Sequence, residues 1–261
     1  MRDLHVHMKF KVVIVISMFL LFASGCSNKD ELDSLMKPPK LSASQSQISE
    51  IMVKFIPKDA RLIIPSYGEN QKSIEYIDID GDKKDEAIIF FKEEGKQSYD
   101  SKIGFLILKQ IKDMWTNEAY ISEYGNSIES VTFKDADGDR KNEIILDYKM
   151  EGSTIENIGI YKENESDFKK IFSAPCSNFI LEDLDMDGTM ELIVLNDEKC
   201  TLYKADKQGL SEKDEADFLV FEGCSIVVQA VNKSSKAIFV KSESFSKEIM
   251  VKDNKLQIIE N

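Results

Sequence analysis

Histidine is all but missing from this 261-residue chain. The two it has, His5 and His7, lie in the first seven residues. A chain that has lost that segment has none, which excludes Ser-His-Asp and Cys-His nucleophile systems and histidine-ligated zinc. Basic residues are also short: 34 Lys+Arg stand against 47 Asp+Glu, for a formal charge of −13. Nucleic-acid binding needs a basic face, so this balance argues against it. GxSxG, HExxH and phosphate-cradling glycine motifs are absent from the sequence. What is present is ample core material, with 42% hydrophobic and 31% charged residues. That is the balance of a globular protein, of a length for one large domain or two small ones.

The N-terminus reads as an address. Residues 12–22, VVIVISMFLLF, follow Arg2, Lys9 and Lys11. A basic stretch before an apolar run too short for a comfortable span predicts a signal peptide, with Met8 a second candidate start. The run ends in Ala23-Ser24-Gly25-Cys26, which resembles the lipobox of bacterial lipoproteins. The resemblance implies cleavage before Cys26, lipidation of its sulfur and a membrane anchor on the extracytoplasmic face. An ordinary signal peptide or an uncleaved anchor is the alternative. Residues 26–47 are polar and predict a flexible tether. Ile48, Ile51, Met52 and Phe55 then form one stripe of a short helix within 48–60, ended by Pro57.

From residue 73 onward the chain repeats itself. The three copies are SIEYIDIDGDKKDEAIIFF, ESVTFKDADGDRKNEIIL and NFILEDLDMDGTMELIVL. Carboxylates occupy positions 1, 3, 5 and 9 of a nine-residue loop. They are Asp78, Asp80, Asp82 and Glu86; Asp135, Asp137, Asp139 and Glu143; and Asp183, Asp185, Asp187 and Glu191. Carboxylates at alternate positions of a tight loop converge on one point. Hard oxygen ligands so placed suit calcium, and without a cation they repel. Position 7 is Lys84, Lys141 or Thr189, and in the first two copies it can offer only its backbone carbonyl. Gly81 and Gly138 sit at position 4, but the third loop has Gly188 at position 6, which predicts a slightly different geometry. An EF-hand needs glutamate at position 12; here that place holds Ile89, Leu146 and Val194.

These motifs resemble FG-GAP/VCBS repeats, the calcium-loop repeats of integrin-type β-propellers, over roughly residues 61–261. They look closest to the small VCBS-repeat lipoproteins of bacteria, where a segment like ARLIIPSYGENQKSIEYIDIDGDKKDEAIIFF opens the domain. The resemblance implies calcium ligands at positions 1, 3, 5, 7 and 9 of each loop, hence about three structural ions. The family often has glycine at position 6, where Lys83 and Arg140 stand here.

The fold expected is all-β, a small propeller of about four blades. Strands are expected at 73–79, 86–91, 103–109 and 113–120; at 128–134, 143–149, 157–162 and 166–173; and at 177–184, 191–196, 200–204 and 216–221. A fourth unit follows at 224–231, 237–241, 246–252 and 255–259, its loop stripped of acids. Arg61–Ile64 is expected to join the last blade and close a ring of four; five blades, or an open stack with an N-terminal cap, are the alternatives. Beside Cys26, the cysteines are Cys176, Cys200 and Cys224, an odd number allowing at most one internal disulfide. Cys176 and Cys224 occupy equivalent places in adjacent units, as a bridge or as two thiols. Trp115 is read as packing or as an exposed binding aromatic, and Glu212–Glu215 as a solvated loop. Three functions are carried forward: a calcium-stabilised binding or scaffold module for a protein or glycan partner, a calcium-dependent sensor, and a glycan-active enzyme.

Overall fold

The computed structural model describes residues 43–260, except 154, 165–166, 197, 207–208, 219–223 and 243–245. The signal-like stretch, Cys26 and the tether to residue 42 lie outside the described residues. Helix α1 (Ala43–Phe55) begins five residues before the expected start at Ile48. Alanine and glutamine accept a helix, but without apolar periodicity the first turn leaves no mark in the pattern. No helix among the described residues is long and apolar enough to cross a membrane.

The rest of the described chain is all-β, in four antiparallel sheets taken in chain order. Sheet I contains β1 (Ala60–Leu62), β2 (Ile74–Ile77), β3 (Glu86–Glu93), β4 (Lys102–Ile111) and β5 (Met114–Tyr124). Sheet II contains β6 (Ser127–Lys134), β7 (Glu143–Lys149), β8 (Glu156–Asn164) and β9 (Asp167–Cys176). Sheet III contains β10 (Asn178–Glu182), β11 (Glu191–Leu195), β12 (Lys199–Asp206) and β13 (Gly209–Asp217). Sheet IV contains β14 (Ser225–Asn232), β15 (Ser235–Lys241), β16 (Ser246–Lys252) and β17 (Lys255–Glu260). Sheets II, III and IV are simple meanders, the architecture expected of chains with strand–turn–strand punctuation; sheet I is the meander β2–β5, its first to fourth strands, with β1 added beside β2 on the edge of β3.

The sheets pack face to face in a row. Ile88 and Phe90 of sheet I meet Ile144 and Leu146 of sheet II. Ile145 and Ile160 of sheet II meet Leu192 and Val194 of sheet III. Ile193 and Leu202 of sheet III meet Ile238 and Ile249 of sheet IV. Strands β3, β7 and β11 are therefore apolar on both faces, which is why they appear as aliphatic runs rather than alternating patterns.

The remaining face of sheet I, with Ala87, Ile89, Leu106 and Leu108, is covered by Ile48, Ile51 and Met52 of α1. A closed ring of four would need sheet IV on that face, and the helix occupies it. Trp115 joins the same cluster and tilts against Tyr76, with ring centroids 6.2 Å apart, so it packs the helix onto the sheet.

The expected closing strand also goes elsewhere. β1 pairs with Phe91–Glu93 of β3, not with sheet IV. β2 is only four residues long and pairs with Glu86–Ile89, leaving the far end of the same β3 edge open. β1 fills it, and Phe90 bonds both flanking segments, donating to Ser73 O and accepting from Ile63 N. Between β1 and β2 the chain straps across to sheet II. Ser66 and Tyr67 N–H groups donate to Ile128 and Glu129 carbonyls. The Tyr67 hydroxyl donates to buried Asp147 Oδ2 at 2.5 Å. Burial raises the Asp147 pKa to about 7.

Strand β13 corrects a further expectation. The fourth strand of the third unit runs over 209–217, beginning before the expected 216–221, of which 219–221 lie outside the described residues, so Glu212–Glu215 is a strand and not a loop. It is an outer strand, where charge is tolerated. Asp214 also ties two sheets together, accepting hydrogen bonds from Leu256 N and Lys255 Nζ of sheet IV. Cys176, Cys200 and Cys224 are free thiols, the first two fully buried, so the bridge between Cys176 and Cys224 does not form.

Candidate metal centres

Each acidic loop connects the first and second strands of sheets I, II and III. Position 2 anchors it from below: Ile79, Ala136 and Leu184 are buried. Position 1 then organises the turn. Asp78 accepts from Gly81 N at 2.8 Å and Lys83 N at 2.9 Å. Asp135 accepts from Gly138 N at 2.7 Å and Arg140 N at 2.8 Å. Asp183 accepts from Asp187 N at 3.0 Å and Gly188 N at 3.1 Å.

Such a turn needs left-handed backbone at two places. Position 4 has φ of 78° at Gly81, 81° at Gly138 and 56° at Met186. Position 6 has φ of 69° at Lys83, 72° at Arg140 and 93° at Gly188. All three loops therefore share the two left-handed positions, and glycine relieves one of the two in each. The slight difference expected of the third loop lies in its hydrogen bonds: Asp183 accepts from the position-5 N–H of Asp187, where Asp78 and Asp135 accept from the position-4 glycine.

The geometry brings positions 1, 3 and 9 together. In the triads Asp78/Asp80/Glu86, Asp135/Asp137/Glu143 and Asp183/Asp185/Glu191, one carboxylate oxygen per residue lies within 4.8 Å of the others. Position 5 stands outside the triads. Asp82, Asp139 and Asp187 each accept from the position-7 N–H, of Lys84, Lys141 and Thr189, at 2.9 Å. The position-7 side chains diverge: Lys141 Nζ reaches Glu163 at 2.6 Å, whereas Thr189 turns back onto Asp187.

Position 9 is the informative member. Glu86, Glu143 and Glu191 are 3%, 0% and 0% exposed. One oxygen of each accepts the position-2 N–H: Glu86 from Ile79 at 3.1 Å, Glu143 from Ala136 at 2.7 Å, Glu191 from Leu184 at 2.8 Å. The other oxygen, Oε1, is buried without a hydrogen-bond partner in all three. Burial, with the neighbouring aspartates in support, raises the pKa of Glu86 and Glu143 to about 7, and burial raises that of Glu191. Burying a carboxylate oxygen without a hydrogen bond is costly, and its recurrence at Glu86 and Glu143 points to a positive charge that these loops are built to hold. The donor set is all oxygen and suits a hard divalent cation.

The loops are tied to one another along one edge of the row. Asn142 of the second loop donates its N–H to Ile79 O and its side-chain amide to Asp78 O of the first. A Cβ on Gly81 would lie 3.1 Å from Arg140 O. Beside the third loop, Lys236 N donates to Leu184 O.

Sequence reasoning missed one residue type. Lys109, Lys162 and Lys204 stand directly across from Glu86, Glu143 and Glu191 on the third strand of each sheet, one place beyond the register pairs Ala87–Leu108 and Ile144–Tyr161 and at the pair Glu191–Lys204. Lys204 Nζ lies 3.1 Å from Asp185, 2.8 Å from Asp187 and 2.6 Å from Glu191 Oε1. That last contact is an ion pair with the buried oxygen. Lys162 Nζ pairs with Asp137, lies 2.8 Å from Asp139 and reaches within 3.8 Å of Glu143. Lys109 Nζ pairs with Asp80 and lies 3.5 Å from Asp82. Burial pushes Asp187 up, but the Lys204 ammonium and Thr189 outweigh it and hold its pKa down to about 2. The signal was hidden by hairpin length, since each lysine follows its glutamate by 23, 19 or 13 residues.

No family model matches the chain, and no curated protein matches it. Among solved structures it is similar to the rhamnogalacturonan lyase YesW, at 15% identity and a TM-score of 0.41, over 73% of this chain and 44% of that one. It is also similar to the exotype rhamnogalacturonan lyase YesX, at 13% identity and a TM-score of 0.40, over 72% of this chain and 43% of that one. The chain thus spans less than half the length of either lyase.

Proposed function

We propose that the chain is an extracytoplasmic, lipid-anchored binding module whose four sheets are the blades of an FG-GAP/VCBS-type array, stiffened by calcium in its three acidic loops. The observation that carries the calcium reading is the buried Oε1 of Glu86 and Glu143, which has no hydrogen-bond partner; each glutamate is grouped, as Glu191 is, with two aspartates of its own loop. The helix covering the outer face of sheet I supports an open row rather than a closed ring of four. Binding is favoured over catalysis because carboxylates engaged by a cation have little capacity for proton transfer. The partner is a protein or a glycan presented at the cell surface. The anchor rests on the apolar run before Cys26, and two acyl chains at that residue would suffice to hold the module at a membrane.

The test is a thermal melt of the full chain in calcium and in chelator. Calcium at 100 times its Kd stabilises by about 2.7 kcal/mol per site, which for a domain of this size raises Tm by roughly 5–10 °C per filled loop. An unchanged melt, with no calcium taken up at equilibrium, overturns the reading. Crosslinking capture on intact membranes, with and without chelator, then tests the binding role; one stoichiometric partner is the expected result.

A further inference from the structure

The three lysines that enter the acidic loops form a pattern inside the chain. They occupy one register position, opposite the position-9 glutamate, in sheets I, II and III. The fourth sheet supplies the internal comparison. Ile238 pairs with Ile249 and packs toward sheet III, as Leu192 packs toward sheet II. The residue preceding Ile238 therefore corresponds to Glu191, and the residue following Ile249 corresponds to Lys204. They are Ala237 and Met250. Where the loop has lost its acids, the glutamate and the lysine are both gone. The lysine accompanies the carboxylates rather than the strand.

Its position is also specific. The Lys204 ammonium contacts the carboxylates of positions 3, 5 and 9 at 2.6–3.1 Å, and positions 3 and 9 are two of the three members of the divalent-cation triad. Lys162 repeats this arrangement on Asp137, Asp139 and Glu143, and Lys109 contacts positions 3 and 5. Both side chains at the heart of the third site are sequestered, Lys204 at 10% and Glu191 at 0% exposure. An ammonium and a divalent ion cannot share those oxygens without strong like-charge repulsion at close range.

We infer that Lys109, Lys162 and Lys204 are tethered cations that compete with calcium for the three loops. The inference rests on the cation reading of those loops and adds their regulation. Without calcium each loop closes on its own ammonium and keeps its shape. As calcium rises, the ion displaces the ammonium from position 3 in all three loops and from position 9 in the second and third. Displacement weakens calcium binding, so the loops fill reversibly and at higher calcium than four carboxylates alone would require.

The experiment uses the full chain in detergent micelles, wild type and the variants K109M, K162M and K204M. Methionine is the residue that sheet IV carries at this place. Calcium affinity is measured by isothermal titration, and Tm is measured in chelator. The expected result has two parts: at least tenfold tighter calcium binding at the altered loop, and a lower Tm in chelator. Equal or weaker calcium binding in a folded variant overturns the competition while leaving the calcium sites standing. No calcium uptake by wild type or variants overturns the cation reading and the inference with it. A lower Tm with unchanged affinity assigns the lysines a structural role only and overturns the inference. The three lysines lie in three different sheets, so a variant that fails to fold leaves two independent tests.

Discussion

In chelator, the stability of this protein should fall as pH rises from 5 to 8, opposite to the behaviour of a protein held by ordinary surface carboxylates. Glu86 and Glu143 are buried, and burial raises each pKa from 4.5 to about 7. A raised acid pKa means that the folded state favours the neutral form. The stability it confers is complete below the unfolded value, is lost as pH climbs from about 4.5 to about 7, and is constant above. The shift corresponds to roughly 3 kcal/mol per group at most, and screening at the loop rim reduces it to about 1–2 kcal/mol. Two such groups lower Tm by roughly 5–15 °C across the window. Asp147, also raised to about 7, adds in the same direction. Carboxylates held low, such as Asp187 at about 2, titrate below the window and leave it undisturbed. The assay is a circular-dichroism melt at pH 5, 6, 7 and 8 in chelator, with E143Q alongside. Glutamine retains an acceptor for the Ala136 N–H and removes one titration, so the slope should shrink. Saturating calcium prefers the carboxylate form and should flatten or reverse the trend. A metal-free Tm that is level or higher at pH 8 than at pH 5 would refute the reasoning.

Two further perturbations probe the supports of the row. I48A removes the most buried residue of the helical cap, 3% exposed against Ala87 and Leu106; it should cost about 2–4 kcal/mol in chemical denaturation, and a loss under 1 kcal/mol would show that the helix is a dispensable cover. Y67F leaves Asp147 without the hydroxyl donor that reaches it across the strap and should cost about 1–3 kcal/mol, with a larger loss at pH 8 than at pH 5 because the carboxylate form then needs the donor more.

The sequence by itself determined the repeat, the loop and the element type. Three acidic loops at similar spacing, each followed by an unbroken aliphatic run, define a hairpin with a buried second strand, because a strand covered on both faces has no reason to alternate. The triads of positions 1, 3 and 9 were legible for the same reason: local turn chemistry places them. Tertiary structure decided what lies far apart in the chain. β1 fills the open end of β3 because β2 is too short to do so. The helix takes the face of sheet I that a fourth blade would need. The charged run 212–215 is a strand because its backbone pairs with β12, Tyr203 with Glu212 and Thr201 with Glu215, while the Asp214 carboxylate reaches Lys255 and Leu256 of the next sheet. The lysines were invisible for a related reason. Cross-strand neighbours are set by register, and register depends on hairpin lengths that differ in every repeat. Only the folded sheets bring Lys162 and Lys204 to Glu143 and Glu191, and Lys109 to Asp80 and Asp82, so that an ammonium stands among the carboxylates of each acidic loop.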